Sequence, residues 1–453
     1  MSQSQETNSE RSSRGVLAER LAARSAARDV RGGVGGPAYV GLPLSMGFAD
    51  AGIRVLGFDI DAAKIAAIHA GESYIGGVSS SRLASAVEAG TLAATDDFSR
   101  LGEVDVAIVC VPTPLTSHRE PDLSYVLDTG RRIATSLRRG QLVVLESTTF
   151  PGTTDGELRE ILEAGGLTLA NDFFLAFCPE REDPGNPQFD TTKIPKVVGG
   201  VDQVSGELAC RLYELVVPRT VSVSSARVAE AAKLTENIFR AVNIALVNEL
   251  KVIFDEMQID VREVLDAAAT KPFGFMRFDP GPGWGGHCIP VDPFYLSWKA
   301  REYGRTARFI ELAGEVNVEM PAWVVQKLLL ALNDRSLPIR GQRILVLGLA
   351  YKRDVADPRE SPAFEILSRL HELGAEVGYH DPLLPEAPSM RTWPDLPPLR
   401  STPLDAATLE SCAAVVVVTD HRAIDWELVA RCAPLVVDTR GVFRQPLPNV
   451  VRA

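Results

Sequence analysis

A single cysteine, Cys288, lies in the segment FDPGPGWGGHCIPVDPFYL (278–296), which contains four glycines and four prolines. These residues set unusual backbone angles and fix the direction of the chain around the thiol. Asp292 follows four residues later, as in a first helical turn, and a helix N-terminus stabilises a thiolate through its dipole and its backbone amides. The pattern favours a nucleophilic cysteine. A tight interdomain turn with an incidental buried cysteine is the alternative.

Lys233, Asn237 and Arg240 form a second group, on a run from 225 to 258 that keeps helical periodicity without internal Gly or Pro. The run predicts one long helix. Residues four and seven apart on a helix share a face. That face is either solvated, or it directs the Lys/Asn pair into a cleft between domains, and the spacing leaves both open.

The loop GGPAYVGLP (35–43) approximates the fingerprint of a dinucleotide site, in which glycines let a pyrophosphate approach a helix N-terminus and a later acidic residue binds the ribose. Asp59, which ends a strand-like run, stands 18 residues after Gly41. Ala38 occupies the place of the second glycine. The preceding segment ARDVRGGVG (27–35) is not apolar, so we expect no buried first strand and weak cofactor affinity. A purely structural strand–loop–helix turn is the alternative.

The segment LAYKRDVADPRES (349–361) concentrates Lys352, Arg353 and Arg359 after an apolar strand and before a helix. The whole chain is acidic, with 47 basic and 59 acidic residues and a net charge of -12. A local cluster of cations is therefore where a phosphate could be held. A loop that satisfies its charges by internal salt bridges is the alternative.

Composition excludes several classes of protein. The acidic balance argues against a nucleic-acid or anionic-membrane binder, and no apolar run is long enough to cross a membrane. Six scattered cysteines without CxxC pairs indicate reduced thiols, a cytoplasmic location and no metal site. Residues 1–30 lack the apolar core of a signal peptide, and we expect a disordered tail that runs into a short helix.

The fold class predicted is α/β. From 36 to about 215, short apolar runs alternate with helix-like segments, which predicts βαβ units and a parallel sheet with helices on both faces. The pattern restarts from 341 to 440, after the helical centre. Ligands of such sheets lie at the carboxyl ends of the strands. We expect an N-terminal domain over 31–215, a central helical domain over 216–325 and a C-terminal domain over 326–453.

These segments together resemble the UDP-glucose/GDP-mannose dehydrogenase family, and within it the UDP-N-acetylglucosamine or UDP-N-acetylmannosamine 6-dehydrogenases. The resemblance runs from about residue 36 to 440. Its motifs are YVGLPL, CVPTPL, ESTTFPGTT, CPERE, AKLTENIFRAVNIALVNEL, PGPGWGGHCIPVDPFYL, LGLAYKRDVADPRESPA and VVDTRG. The family architecture implied is two Rossmann-like doubly wound domains joined by a central helical domain, whose long helix mediates a homodimer.

The resemblance implies oxidation of the C6 alcohol of a UDP-sugar to a carboxylate by two hydride transfers to NAD, for polysaccharide biosynthesis. Cys288 would form a thiohemiacetal and then a thioester with C6. Lys233 and Asn237 would stabilise the oxyanions, and Asp292, Thr148 and Glu180 would assist proton transfer or order the water.

The resemblance also implies two sets of ligand contacts. NAD would contact Gly36, Tyr39, Val40, Gly41, Asp59, Lys64, Thr113, Thr148 and Arg359. The UDP-sugar would contact Arg181, Glu182, Lys233, Asn237, Arg240, Gly285, Tyr351 and Lys352. Two other functions compete: a catalytically silent nucleotide-sugar-binding protein with a damaged NAD loop, and a two-electron hydroxyacid or sugar-phosphate dehydrogenase. The second leaves the cysteine segment without a role.

Overall fold

The computed structural model of the chain describes residues 3–116, 118–181, 193–286, 288–390 and 392–453, and only the backbone of residues 3–12. The chain divides into two compact units. The first comprises Met1–Glu236 and Trp298–Gly304, and the second comprises Asn237–Ser297 and Arg305–Ala453. No helix within the described residues combines the length and the apolar character needed to cross a membrane.

The first unit is built on an eight-stranded sheet with the spatial order β3-β2-β1-β4-β5-β6-β7-β8. Its strands are β1 (Arg31–Gly35), β2 (Arg54–Phe58), β3 (Leu92–Thr95), β4 (Val106–Val109), β5 (Leu142–Leu145), β6 (Phe174–Phe177), β7 (Lys196–Gly200) and β8 (Thr220–Val223). Neighbours run parallel except β6 and β7, which are antiparallel. The doubly wound sheet expected from the alternating apolar runs is confirmed, because strands buried on both faces need continuous apolar sequence.

The first strand differs from the sequence expectation. The glycine-rich segment Arg31–Gly35 is an inner strand, paired in parallel with β2 and β4. Glycine can occupy this position because the ladder hydrogen bonds use backbone groups alone. Neighbouring side chains fill the space that apolar residues would take, since a Cβ added at Gly33 would lie 2.9 Å from the Val104 side chain. The prediction that the sheet lacks this strand is wrong.

The helices of the first unit are α1 (Gln3–Ala26), α2 (Gly41–Asp50), α3 (Ala62–Ala70), α4 (Ser80–Glu88), α5 (Ser124–Ser136), α6 (Arg159–Glu163) and α7 (Gln203–Tyr213), with a 3-10 turn at Phe98–Glu103 and a π turn at Thr154–Leu158. The helix α1 replaces the disordered tail expected over 1–30. Leu21 is buried in the main apolar cluster, and Arg24 Nη1 lies 2.5 Å from the buried Asp105 Oδ1. These two anchors stabilise a segment that its polar composition alone would leave unfolded.

The helix α8 (Ala226–Glu256) begins in the first unit and continues into the second, which confirms the long helix predicted over 225–258. The second unit has a five-stranded parallel sheet with the order β10-β9-β11-β12-β13. The strands are β9 (Arg343–Leu347), β10 (Glu376–His380), β11 (Ala414–Val417), β12 (Val436–Asp438) and β13 (Val450–Arg452). The remaining helices are α9 (Val261–Ala268), α10 (Asp292–Glu302), α11 (Arg308–Asn333), α12 (Pro362–Glu372), α13 (Ala406–Glu410) and α14 (Trp426–Cys432).

Candidate active site

The loop between β1 and α2 has the geometry of a dinucleotide site. Gly36 has a φ of +82°, and a Cβ at this position would lie 2.7 Å from the Cys110 carbonyl oxygen. A Cβ at Gly41, the first residue of α2, would lie 2.3 Å from the Gly36 carbonyl oxygen. Both positions therefore require glycine, for conformational and steric reasons. The loop fits a pyrophosphate at the N-terminus of α2.

Ala38 does not carry the backbone strain that a left-handed conformation would impose. It is absent from the non-glycine residues of positive φ in the described chain, and its N–H donates to the Gly36 carbonyl at 2.8 Å. Together with the intact β1, this removes two of the reasons for expecting weak cofactor affinity. A loop with alanine at position 38 therefore differs from a loop with glycine there only in the methyl group that it places near the ligand.

The acidic residue expected at the end of β2 is in place. Asp59 is buried, its Oδ1 accepts the Asp61 N–H at 2.9 Å, and its Oδ2 lies 3.2 Å from Lys64 Nζ. The Gly36 N–H donates to the carbonyl of Phe58, directly before Asp59, so the glycine loop and the acidic residue lie side by side. A carboxylate in this position suits the ribose hydroxyls of NAD and disfavours the 2′-phosphate of NADP.

Glu180, which follows β6, belongs to a buried cluster of charges that sequence reasoning missed. Lys196 Nζ lies 3.3 Å from Glu180 Oε2 and 3.0 Å from Glu146 Oε2, and the Tyr213 hydroxyl donates to Glu146. Burial lowers the pKa of Lys196, but the two carboxylates outweigh it and the net direction is upward, so the ammonium stays charged. Burial raises the pKa of Glu146. The cluster holds two carboxylates for one ammonium, and burial favours the protonated form of Glu146.

A sequence signal for this cluster existed. Glu146 and Lys196 are charged residues at the ends of the apolar runs QLVVLEST (141–148) and KVVGG (196–200), whose pattern by itself predicts only strands. A charge at the end of a strand that is buried on both faces needs a partner, since an unpaired buried charge is costly.

Lys233 and Asn237 lie on consecutive turns of α8 and both are buried, with 8% and 5% of their surface exposed. The solvated-face interpretation is therefore wrong for these two residues, although Arg240 on the same face is exposed. Within the described chain the Lys233 ammonium has no hydrogen bond or ion pair. A buried ammonium without a carboxylate partner is available to a developing negative charge on a ligand.

Cys288 lies in the turn that leads into α10 rather than in the helix itself. Its carbonyl accepts the Asp292 N–H at 2.8 Å and the Val291 N–H at 3.1 Å, and Asp292 is the first residue of α10. The Asp292 carboxylate accepts a hydrogen bond from the side-chain amide of Asn237. The cysteine and aspartate segments are thus joined to the α8 asparagine within the second unit, a contact that the sequence did not predict.

The glycines before Cys288 pack against the segment that follows β9. A Cβ at Gly285 would lie 2.8 Å from Tyr351 Cβ, and a Cβ at Gly286, whose φ is +89°, would lie 2.8 Å from the Tyr351 ring. The Gly286 N–H donates to the Arg359 carbonyl at 3.1 Å. The tertiary fold therefore packs Tyr351, from a distant part of the sequence, against Gly286, which lies two residues before Cys288.

Tyr351 also lines a cavity of about 710 Å³ in the second unit. Its lining includes seven cationic side chains and two acidic ones: Arg262, Arg277, Lys352, Arg353, Arg422, Arg440 and Arg444, with Asp279 and Asp420. Arg353 pairs with Asp420 and Arg359 pairs with Asp357, so the salt-bridged-loop alternative is also partly right. The excess of positive charge nevertheless fits a polyanion such as a diphosphate.

The cations of this cavity oppose one another. Burial, with Arg262 and Arg353 nearby, lowers the pKa of Arg440 to about 10, and burial lowers the pKa of Arg262 as well. Charges held at this cost are relieved by a bound anion. Sequence reasoning missed Arg440 and Arg262 as ligand contacts, although Arg440 lies in the quoted motif VVDTRG.

The other predicted contacts are placed as follows. Arg181 pairs with Glu236 at 2.6 Å and donates to the Pro195 carbonyl at 2.8 Å. Thr113 is buried, Thr148 and Val40 are half-buried, and Tyr39 is exposed. Glu182 lies outside the described residues.

The first unit has the glycine loop and the acidic residue of a dinucleotide site, and the second unit has a cavity lined by cations. This combination is typical of dehydrogenases that use a dinucleotide and act on a nucleotide-linked substrate. The chain belongs to the UDP-glucose/GDP-mannose dehydrogenase family. The NAD binding domain of the family matches residues 31–217 of this chain, the central domain of the family matches residues 227–319, and the UDP binding domain matches residues 345–445. The protein is accordingly an NAD-dependent oxidoreductase of this family, and its glycine loop fits that cofactor.

Individual relatives agree. A UDP-N-acetyl-D-glucosamine 6-dehydrogenase of Pseudomonas aeruginosa is 39% identical over 357 residues, which cover 78% of this chain and 83% of the relative. A UDP-N-acetyl-D-mannosamine dehydrogenase of Pyrococcus horikoshii is 34% identical over 418 residues, covering 91% and 95%. The solved structure of the UDP-D-ManNAc dehydrogenase from Pyrococcus horikoshii matches with a TM-score of 0.84 and 33% identity, covering 93% of this chain and 98% of that one.

Proposed function

We propose that the protein oxidises the C6 alcohol of a UDP-N-acetylhexosamine to the uronic acid. The observation that carries this proposal is the packing of Gly285 and Gly286 on Tyr351, because it joins the segment that leads to Cys288 to a residue lining a cavity suited to a nucleotide diphosphate. Relatives named as N-acetylglucosamine and N-acetylmannosamine dehydrogenases support the N-acetylhexosamine as substrate.

The cysteine determines how far the oxidation proceeds. NAD, when bound, accepts a hydride from C6 in each of two steps. After the first step the Cys288 thiolate adds to the C6 aldehyde to give a thiohemiacetal, and loss of the second hydride leaves a thioester. Water attacks the thioester carbon, the C–S bond breaks, and the products are the carboxylate and the thiol. A dehydrogenase that stopped at the aldehyde would not need the thiol.

Charge develops on the C6 oxygen in each of these steps. The Lys233 ammonium and the Asn237 amide are buried donors suited to stabilise that oxyanion. Asp292 holds the Asn237 amide by a hydrogen bond and can also accept a proton. Thr148 and Glu180 support proton transfer, with Lys196 and Glu146 forming the charged surroundings of Glu180.

A homodimer fits the surface of α8. Four apolar side chains, Val228, Phe239, Leu246 and Ile253, are each more than 40% exposed and recur at spacings of 11, 7 and 7 residues, which places them on one face. A stripe of this kind on a helix is buried when a second copy of the chain packs against it. Analytical ultracentrifugation of the wild type and of Leu246→Glu tests the dimer, since the charged variant should sediment as a monomer.

Substrate oxidation is tested by NADH formation with UDP-GlcNAc, UDP-ManNAc, UDP-glucose and GDP-mannose. We expect two NADH per molecule of a UDP-N-acetylhexosamine and little turnover of the other two sugars. One NADH with a free aldehyde would contradict the covalent route. UDP binding without any NADH from the whole panel would instead favour a silent nucleotide-sugar-binding protein.

A further inference from the structure

A carboxylate that the reaction scheme does not use, Glu230, lies on α8 one turn before Lys233. It is fully buried. Its Oε1 accepts the Thr154 N–H at 2.9 Å and the Thr154 hydroxyl at 2.6 Å, and its Oε2 accepts the Gly152 N–H at 2.7 Å. The Thr149 hydroxyl also donates to Oε1, at 3.5 Å. Four donors therefore hold one carboxylate against the segment that follows β5.

That segment, 146–154, carries Thr148. At its beginning the Ser147 hydroxyl donates to the Val111 carbonyl at 2.7 Å. At its other end Gly152 has a φ of +108°, although a Cβ there would meet no atom within 4 Å. The glycine is therefore needed for its backbone conformation, which directs the N–H toward Glu230. Thr148 is held between a fixed start and an end fixed by Glu230.

Glu230 is a costly way to join two elements. No lysine, arginine or histidine of the described chain forms an ion pair with it, and burying a carboxylate without a cation costs more than packing an apolar residue of similar size. A second link between the same elements is ordinary: Arg227 Nε lies 2.7 Å from Asp155 Oδ2, and the arginine is mostly exposed. Exposed pairs of this kind contribute little to stability, because water screens the charges.

We propose that Glu230 is a positioning residue that fixes Thr148 relative to the turn of α8 that carries Lys233. This inference rests on the proposed function for the roles of Thr148 and Lys233. Glu230 itself touches neither the sugar nor the reacting atoms. Its hydrogen bonds set the register between the loop and the helix, and a shift of about 1 Å in such a register can cost on the order of 100-fold in rate.

Three variants separate this role from a stabilising one. Glu230→Ala removes all four hydrogen bonds and should lower kcat about 10- to 100-fold per folded enzyme, with a change in KM below about threefold. Glu230→Gln keeps the oxygen that faces Thr154 but sets an amide N–H against that of Gly152, so its loss should be intermediate. Arg227→Gln, the matched control, should keep kcat within about twofold.

A double-mutant cycle with Thr148→Ala measures whether the effects of the two substitutions on kcat are coupled. A residue that only stabilises the fold would show no such coupling. If Glu230 acts through Thr148, then Glu230→Gln should add little to the loss already caused by Thr148→Ala. Losses that multiply would overturn the proposal.

Amide hydrogen exchange at Gly152 and Thr154 tests the anchor without any activity. Exchange should accelerate at least tenfold in Glu230→Ala and stay unchanged in Arg227→Gln; equal exchange in both variants would also overturn the proposal. A wild type that oxidises no sugar but shows this exchange pattern would refute the proposed function and leave the anchor in place.

Discussion

The side-chain amide of Asn237 donates a hydrogen bond to the carboxylate of Asp292, although 55 residues separate them in the chain. Asp292 in turn donates its backbone N–H to the Cys288 carbonyl at 2.8 Å. An amide on the long helix, the carboxylate that begins α10 and the cysteine turn are thereby joined. Each of the three is polar and lies within the second unit.

Asn237→Ala should lower kcat by about 10- to 100-fold, because it removes the amide proposed to stabilise the oxyanion and leaves the buried Asp292 with one donor fewer. Leaving a buried polar group short of a partner costs about 1–3 kcal/mol of stability. Steady-state NADH formation and urea unfolding measure the two effects. Asn243→Ala is the matched control, since the amide of Asn243 lies on the exposed surface of the same helix and bonds only to the Phe239 carbonyl among described residues. Equal losses in both variants would remove Asn237 from the site.

Cys288→Ser should accumulate a covalent adduct. The serine oxygen can still attack the aldehyde, but the ester that follows has a poor alkoxide leaving group in place of a thiolate. With NAD and the UDP-sugar present, intact-protein mass spectrometry should show the protein heavier by one acyl group, while turnover falls to near zero. Cys288→Ala should show neither adduct nor turnover. Wild-type turnover in the serine variant would exclude the thiol from the reaction.

Ala38→Gly should tighten NAD binding by no more than about threefold. Ala38 is not in a left-handed conformation, so glycine relieves no backbone strain there. Gly36→Ala is the contrasting change: at a φ of +82° and with the Cys110 carbonyl 2.7 Å from the new Cβ, it should weaken NAD binding at least tenfold. Calorimetric titration with NAD measures both. A gain of a hundredfold from Ala38→Gly would restore the view that this loop is damaged.

Arg440→Gln should weaken UDP binding about tenfold or more, because a half-buried guanidinium among other cations gains most from a bound diphosphate. Arg422 lines the same cavity but its side chain is 79% exposed and it pairs with Asp354. Arg422→Gln should therefore weaken UDP binding by less than about threefold, since water screens an exposed charge. Similar losses for the two variants would show that the cavity acts only as a diffuse positive field.

The stability of the first unit should fall as the pH rises from 5 to 7. Burial raises the pKa of Glu230 from an ordinary 4.5 to about 7, with Asp155 adding repulsion, while the donors from Thr154 and Gly152 act in the opposite direction. A raised carboxyl pKa means that folding takes up a proton between these two values. The contribution of Glu230 is thus complete below pH 4.5 and is lost as the pH rises through 7, by about 3 kcal/mol.

Urea midpoints at several pH values measure this loss. The difference between wild type and Glu230→Gln should change with pH, because glutamine does not titrate. Asp155→Asn removes one repulsive neighbour of Glu230 and leaves the burial that mainly raises its pKa, so the pH dependence should weaken but persist. A constant difference between wild type and Glu230→Gln across pH 5–8 would mean that Glu230 keeps one protonation state throughout.

The sequence alone determined the features that depend on local pattern. Continuous apolar runs predicted strands such as β4, β5 and β11, and helical periodicity predicted α8. Both predictions were possible because the spacing of apolar residues along the sequence reflects which side chains are buried. The four-residue spacing of Cys288 and Asp292 predicted a helical turn, and in the structure the Asp292 N–H donates to the Cys288 carbonyl in the turn before α10. Motifs with a fixed local geometry were sufficient to predict the class of enzyme.

Tertiary structure decided what depends on partners distant in the chain. The polar segment 31–35 becomes an inner strand because β2 and β4 supply hydrogen-bond partners on both sides, and a local pattern contains no information about those partners. Burial of Lys233 and the joining of Glu146, Glu180 and Lys196 into one cluster have the same origin. Whether a charged side chain is solvated or buried is set by the elements that pack around it, and its chemistry follows from that burial.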